Sequence, residues 1–454
     1  MSLGGVYHGR LRSAVTSFRR LSWPAQGAIA TAAAYSLVHL VVSGVVQPLR
    51  SDNVGQVIEE LQPLYRLFTT GEATVDQPRQ YGPVFLALFQ PVYRYTLSRP
   101  DLLAWYGYAL DVLAIGIAFI ATRRAIATWA SRRGLTLPRA TTPALLFLWM
   151  NFSPLYGVLA IKNVELWELA LMAVAGAAVL ERRRWVVAWS IAAAALVKML
   201  PLVFVPYLLL RDRRTFAYTV IAIGVLVTLA QALYGYQMGW GYLPMIVNAA
   251  LGGEGYGNAG GLLWHENVSI RGLAFKMFGY LEAPGSNLAA NYQVGYFAIV
   301  PGELRPMAWL VAMVAQGAAV AWLGWQLVMR KWADDDRMYF EWALVAIMML
   351  MLAPQISQDY MVLALGAFSY VLAACLLRAD GWLWAQYTAA VLLVANVVPR
   401  GLFARLVFAD VGARAAGYQH LTVAEAYQYF GFPLIGLVLL LRVWSRVSRV
   451  EPVR

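Results

Sequence analysis

The sequence predicts an all-α protein that crosses a membrane about twelve times, and three observations carry that expectation. Of 454 residues, 60% are hydrophobic and only 13% charged, with a mean hydropathy of +0.58, too little polar material to coat a soluble domain. Apolar runs of spanning length recur along the chain, separated by short arginine clusters such as Glu181-Arg182-Arg183-Arg184 and Arg211-Asp212-Arg213-Arg214. When the runs alternate in direction, the larger share of the 36 lysines and arginines falls on one side, as the bias of cytoplasmic loops requires. That clustering also accounts for the net charge of +12 without any nucleic-acid partner. Cys375 is the only cysteine, which excludes an intrachain disulfide and a cysteine-based metal site.

The elements follow in order. Arg10, Arg12, Arg19 and Arg20 precede an apolar run from about Ala25 to Val46, too long for a signal-peptide core, so the N-terminus is expected inside, at the plasma membrane. The first external loop then covers residues 47–101 and carries Asp52, Glu59, Glu60, Glu72 and Asp76 before the run Gln80-Tyr81-Gly82-Pro83. Val84 to Tyr95 is short and interrupted by Pro91, and reads as a helix lying on the outer surface. Leu102 to Thr122 crosses inward to a loop with Arg123, Arg124, Arg132, Arg133 and Arg139. Thr142 to Ala160 goes out and Leu166 to Leu180 returns.

Trp185 to Leu210 lies between two inside signals, so it must go out and back as two short helices meeting near Lys198 to Pro201. Phe216 to Tyr234 leads to a long external region, 235–305. Pro306 to Met329, Tyr339 to Leu352, Met361 to Leu377, Trp382 to Val398 and Tyr429 to Leu441 complete the crossings and leave the basic tail inside. The whole chain, 1–454, reads as one integral membrane domain.

Ionisable groups near membrane depth are costly and need a task or a partner. The candidates are Asp52, the turn Lys162-Asn163-Val164-Glu165, Lys198 at its hairpin apex, and His265, Glu266, Asn267 and Arg271 in the segment 264–272. Each has a plainer reading. Asp52 would cap a helix starting near Asn53, Lys198 would snorkel, the 162–165 turn would hold an internal ion pair, His265 would be a satisfied loop histidine, and Arg271 would pair with Glu266.

The order of several segments resembles glycosyltransferase family 87. They are the aspartate after the first span, YGPVFLALFQP, KNVELWELALM, AALVKMLPLVFVPYLLLRDRR, ENVSIRG and APQISQDYMVLAL, spread over most of residues 45–377. The resemblance implies a GT-C fold and a polyprenyl-phosphate sugar donor, carrying mannose foremost or arabinofuranose, with a lipid or glycan acceptor on the outer face. It carries the role of general base onto Asp52 and a donor-phosphate contact onto Lys198. The chain has Asn163-Val164-Glu165 where the family commonly has asparagine-glycine-glutamine, and Gln358-Asp359-Tyr360 where a run of tryptophan, acid, histidine and tyrosine is usual.

The chemistry fits these residue types. Transfer from a sugar phosphate needs a base for the acceptor hydroxyl and cations for the departing phosphate. Asp52 suits the first role, Lys198 with Arg271 the second, and Tyr81, Lys162, Glu165, His265, Glu266, Asn267 and Asp359 are candidate substrate contacts. No second carboxylate is placed to act as a nucleophile, so a single inverting displacement is expected. No nucleotide-binding motif and no Asp-x-Asp pair in the first loop is found, so neither a cofactor nor a required metal is expected. Lipid tails of the substrates would enter sideways from the surrounding membrane lipids. A transporter or lipid flippase is the alternative, but it calls for paired inverted repeats, and the chain has one short hairpin.

Overall fold

A computed structural model of the chain describes residues 22–49, 82–85, 87, 99–244, 267–282, 297–330, 332, 334–378, 380–395, 407–410 and 420–449. Asp52, Tyr81, His265, Glu266 and most of the expected surface helix from Val84 to Tyr95 lie outside the described residues. Among the described residues the architecture is helical apart from two small antiparallel ribbons. One pairs β1 (Tyr280–Glu282) with β2 (Phe297–Ile299), the other β3 (Val407–Asp410) with β4 (His420–Thr422).

The first span is α1 (Trp23–Val41), whose end widens into a π-turn over Val42–Val46. Gly44 sits in that turn because a Cβ there would stand 2.9 Å from the Tyr156 ring. α2 (Pro100–Arg132) starts at a proline, where the missing N–H costs nothing, and runs for 33 residues. It therefore passes straight through Arg123, Arg124 and Arg132, which the sequence reading assigned to a loop. The reason is local: that stretch holds alanine, arginine and isoleucine with no glycine or proline before Gly134, so nothing ends the helix earlier.

The expected single span Thr142 to Ala160 is two helices, α3 (Thr141–Met150) and α4 (Ser153–Ile161), bent by 51°. Pro154 at the start of α4 removes the donor that a continuous helix would need. α5 (Glu165–Leu180) returns, and α6 (Arg184–Val197), a 3₁₀ turn at Leu200–Val203 and α7 (Phe204–Arg211) form the expected broken pair around Lys198. α8 (Arg213–Tyr234) is capped by Asp212, whose side chain accepts from the amides of Arg214 and Thr215. Beyond it come α9 (Ile270–Met277), α10 (Arg305–Met329), α11 (Asp334–Leu352), α12 (Leu365–Leu376), α13 (Gly381–Ala395), α14 (Val423–Tyr429) and α15 (Phe432–Val447). α15 extends past Leu441 and takes Arg442 and Arg446 into the helix.

α11 and α12 are the centre. Every residue from Tyr339 to Met351 is buried, the mark of a helix surrounded on all sides. The segment Gln358–Leu376 is 78% buried, against 11% for Ile29–Val46 and for Gly302–Met329, so α1 and α10 are the peripheral, lipid-facing helices. By length and composition four described helices can cross a membrane, five when the bent pair counts as one span, and the twelve crossings expected from sequence are not established.

Charge sorts to opposite ends of this bundle. At one end, Arg124 and Arg183 pair with Glu181, Arg184 with Asp212, Arg211 with Glu341, and Arg133 with Asp336. α5 spans 16 residues, about 24 Å, between Glu181 and Glu165. Glu165 therefore belongs to the other end, where the candidate site residues gather.

Candidate active site

The far end is organised by the break in the α6–α7 pair. Lys198 leaves the helix in an extended conformation because Pro201 forbids continuation, and its side chain turns into the protein, 2% exposed. Its Nζ donates to Glu165 Oε1 at 2.6 Å and stands 4.2 Å from the Tyr360 ring centre. Both members of the pair are buried, so water compensates neither charge, and Glu165 Oε2 has no hydrogen-bond partner among the described residues.

The Gly82-Pro83 run docks on this break. The Gly82 amide donates to the Val197 carbonyl at 2.9 Å, and a Cβ at Gly82 would lie 2.1 Å from the Leu196 oxygen. Only glycine permits that approach. Gly82 is thus fixed beside Lys198.

A third segment arrives from 267–272. Asn267, Ser269 and Arg271 are buried. Asn267 Oδ1 accepts from the amides of Ser269 and Ile356, both at 3.1 Å, the Val268 amide donates to the Ile356 carbonyl at 2.7 Å, and Ser269 Oγ donates to the Pro354 carbonyl at 3.0 Å. Ser269 also caps α9 by accepting from the Gly272 amide. Lys276 closes the knot by donating to the Asn267 carbonyl at 2.6 Å. The segments ENVSIRG and APQISQDYM, 85 residues apart at Ser269 and Pro354, are therefore stitched together. Through Tyr360 the second of them reaches Lys198. Asp359 lies between, at the start of the 3₁₀ turn Gln358–Ala364.

Arg271 projects from α9 over the Trp309 ring, 5.2 Å from its centre, and donates to Gln316 Oε1 through Nε and Nη2 at 3.4 and 3.2 Å. Its Nη1 is buried and has no partner among the described residues. Burial holds this guanidinium below its usual range.

The 162–165 turn does not contain the internal ion pair that was one of its readings. Lys162, in a left-handed conformation (φ 55°) at the end of α4, donates to the Pro48 carbonyl at 2.7 Å and the Ala160 carbonyl at 3.4 Å, whereas Glu165 bonds Lys198. Burial lowers the Lys162 ammonium from its ordinary range, and Asp111 opposes that shift.

Two buried acids here were not picked out from the sequence. Glu168, one helical turn beyond Glu165, is fully buried, and neither of its oxygens has a hydrogen-bond partner among the described residues. Asp111 on α2 is 1% exposed, and its Oδ2 likewise has none. The i, i+3 spacing of Glu165 and Glu168 on an apolar helix was the available signal for the first; Asp111 gave none. No cluster of three or more metal-ligating side chains occurs among the described residues.

The family model of glycosyltransferase family 87 matches residues 80–354, from the Gln80-Tyr81-Gly82-Pro83 run through Lys198 and Arg271 to Pro354. Among solved structures, the chain is similar to ArnT from Cupriavidus metallidurans bound to undecaprenyl phosphate. The two are 15% identical, with a TM-score of 0.37, over 94% of this chain and 78% of that one. No curated protein matches the sequence significantly.

Proposed function

This chain belongs to glycosyltransferase family 87, and on that premise we propose that it is a GT-C enzyme moving a sugar, mannose foremost, from a polyprenyl-phosphate donor to a lipid or glycan acceptor. The active site opens on the extracytoplasmic side, both termini lie in the cytoplasm, and the membrane is the plasma membrane. Asp52 takes the proton of the acceptor hydroxyl as that oxygen attacks the anomeric carbon. The bond from that carbon to the phosphate oxygen breaks in the same displacement, so the configuration inverts, and the phosphate departs toward Lys198 and Arg271. Tyr81, His265, Glu266, Asn267 and Asp359 line the substrates.

The observation that supports this reading best is the convergence at one end of the bundle. Gly82 bonds the α6–α7 break, Lys198 faces Tyr360, and the segment of Tyr360 is bonded to the segment of Arg271. These pieces are distant in sequence, and two of them carry cations, Lys198 and Arg271, of the kind a departing phosphate needs. Arg271 also has one buried nitrogen without a partner among the described residues, suited to an incoming phosphate oxygen.

The test uses purified protein with labelled polyprenyl-phosphate mannose and polyprenyl-phosphate arabinofuranose. Asp52→Asn keeps shape but removes the basic carboxylate, so turnover should fall by about 10² to 10⁴ with donor binding retained. A helix cap predicts the opposite, because asparagine caps about as well as aspartate. Full activity in Asp52→Asn ends the catalytic assignment.

A further inference from the structure

Glu165 and Glu168 stand one turn apart at the start of α5, a spacing that puts both carboxylates on one face. Neither residue is exposed, and three of their four oxygens, Glu165 Oε2 and both of Glu168, have no hydrogen-bond partner among the described residues. The fourth accepts from Lys198 Nζ at 2.6 Å. The charges that bear on Glu168 are those of Lys198 and Glu165. The other titratable groups toward this end, on the elements packed against α5, are Tyr108 and Asp111 of α2, Tyr156 of α4, Lys162, and Asp359 and Tyr360 of the 3₁₀ turn. Lys162 bonds the Pro48 and Ala160 carbonyls and bears on Asp111, and the Tyr156 hydroxyl donates to the Met150 carbonyl. Tyr339 and Glu341 of α11 and Tyr370 and Cys375 of α12 belong toward the arginine end.

One ammonium thus serves two buried carboxylates, helped by the N-terminus of α5, which offers about half a positive charge. A phosphate that takes Lys198 brings in a negative charge and strips Glu165 of its bond to the ammonium. A buried carboxylate without a donor is costly, but a proton held between two neighbouring carboxyl groups makes one the donor and the other the acceptor. We propose that Glu165 and Glu168 are a proton-sharing pair that takes up one proton from solvent when the donor phosphate claims Lys198, and gives it back when the spent polyprenyl phosphate leaves. On binding, the hydrogen bond from Lys198 to Glu165 breaks, the ammonium bonds a phosphate oxygen, and an O–H bond forms on the pair. Anion and proton enter together, so the charge of the site is unchanged. Glu168 is a positioning residue that acts through Glu165, not a substrate contact. The inference rests on the phosphate role given above to Lys198.

Polyprenyl-phosphate mannose is the probe, since its diester holds a single charge as pH changes and without acceptor it is not consumed. Calorimetric titration of the purified protein in buffers of unlike ionisation enthalpy should show about one proton taken up per donor bound. Because binding takes up the proton, donor affinity should fall as pH rises, about tenfold per unit over the range in which the pair titrates. Glu165→Gln leaves Glu168 to take the proton and Glu168→Gln leaves Glu165, so each should keep the uptake at a shifted pH. The double variant should lose it and bind with an affinity that is flat across the same range, whereas Asp111→Asn should keep it. Donor binding without proton uptake by the unsubstituted protein overturns the pair and leaves the functional reading standing, and this measurement needs no variant to fold. Loss of uptake in Glu165→Gln alone or in Asp111→Asn, or its survival in the double variant, overturns the pair as well. If the unsubstituted protein binds no polyprenyl-phosphate mannose, the functional reading falls and takes this inference with it.

Discussion

At the scale of the residue, Lys198 is already bonded to Glu165, and the proposed reaction asks the same ammonium to meet a donor phosphate. Removing it alone strands a buried carboxylate, which costs about 3–5 kcal/mol, so Lys198→Ala should lower both stability and activity. Lys198→Met combined with Glu165→Gln removes both charges and should recover most of the melting temperature while donor use stays impaired; recovery of donor use as well would deny the lysine any phosphate role. Gly82 is a second pressure point. With the Leu196 oxygen 2.1 Å from any Cβ, Gly82→Val must detach the loop end from the hairpin, and transfer should drop at least about tenfold with little change in melting. A normal rate in Gly82→Val would show that the docking is dispensable. Lys198 was legible in the sequence because Lys-Met-Leu-Pro interrupts an apolar run. Asp111 was not, because a lone acid in such a run does not say which lysine it will face.

At the scale of the element, helix positions were readable and helix ends were not. The α6–α7 break was expected because an arginine cluster at each end of the stretch puts both ends on the same side, so the chain must turn back near Lys198 to Pro201. The bend between α3 and α4 was missed, since Pro154 lies in a run whose overall length suits a single span. Stitching across elements was beyond reach: nothing in ENVSIRG announces that Asn267 will accept the amide of Ile356. At the opposite end Arg211 makes two bonds to Glu341 and one to the Leu327 carbonyl, tying α7 to α10 and α11. Arg211→Met takes two charge-assisted bonds from the buried Glu341 and leaves it only Arg337 and Tyr207 nearby, which should cost about 1.5–3 kcal/mol, read as a lower melting temperature in detergent. An unchanged melting curve would mean that solvent reaches this end.

At the scale of the whole molecule, charge separation along the bundle implies an orientation, and the orientation is open to labelling. A cysteine at Thr74 or Gly257 should react with an impermeant thiol reagent from outside intact cells, and Ser131→Cys should not. Labelling of Ser131→Cys would invert the map. The length of α2 has one more consequence. Its 33 residues extend about 50 Å, yet a hydrocarbon layer is about 30 Å thick, so the arginine-bearing end of the helix stands clear of the lipid. There Trp129 donates to Asp336 and stacks on Tyr339, which pins α2 to the core. A bilayer of the wrong thickness therefore cannot be absorbed by tilting α2. Hydrophobic mismatch falls instead on the thinly packed α1 and α10. Because α10 carries Gln316, the partner of Arg271, membrane thickness has a mechanical route to the Arg271 guanidinium.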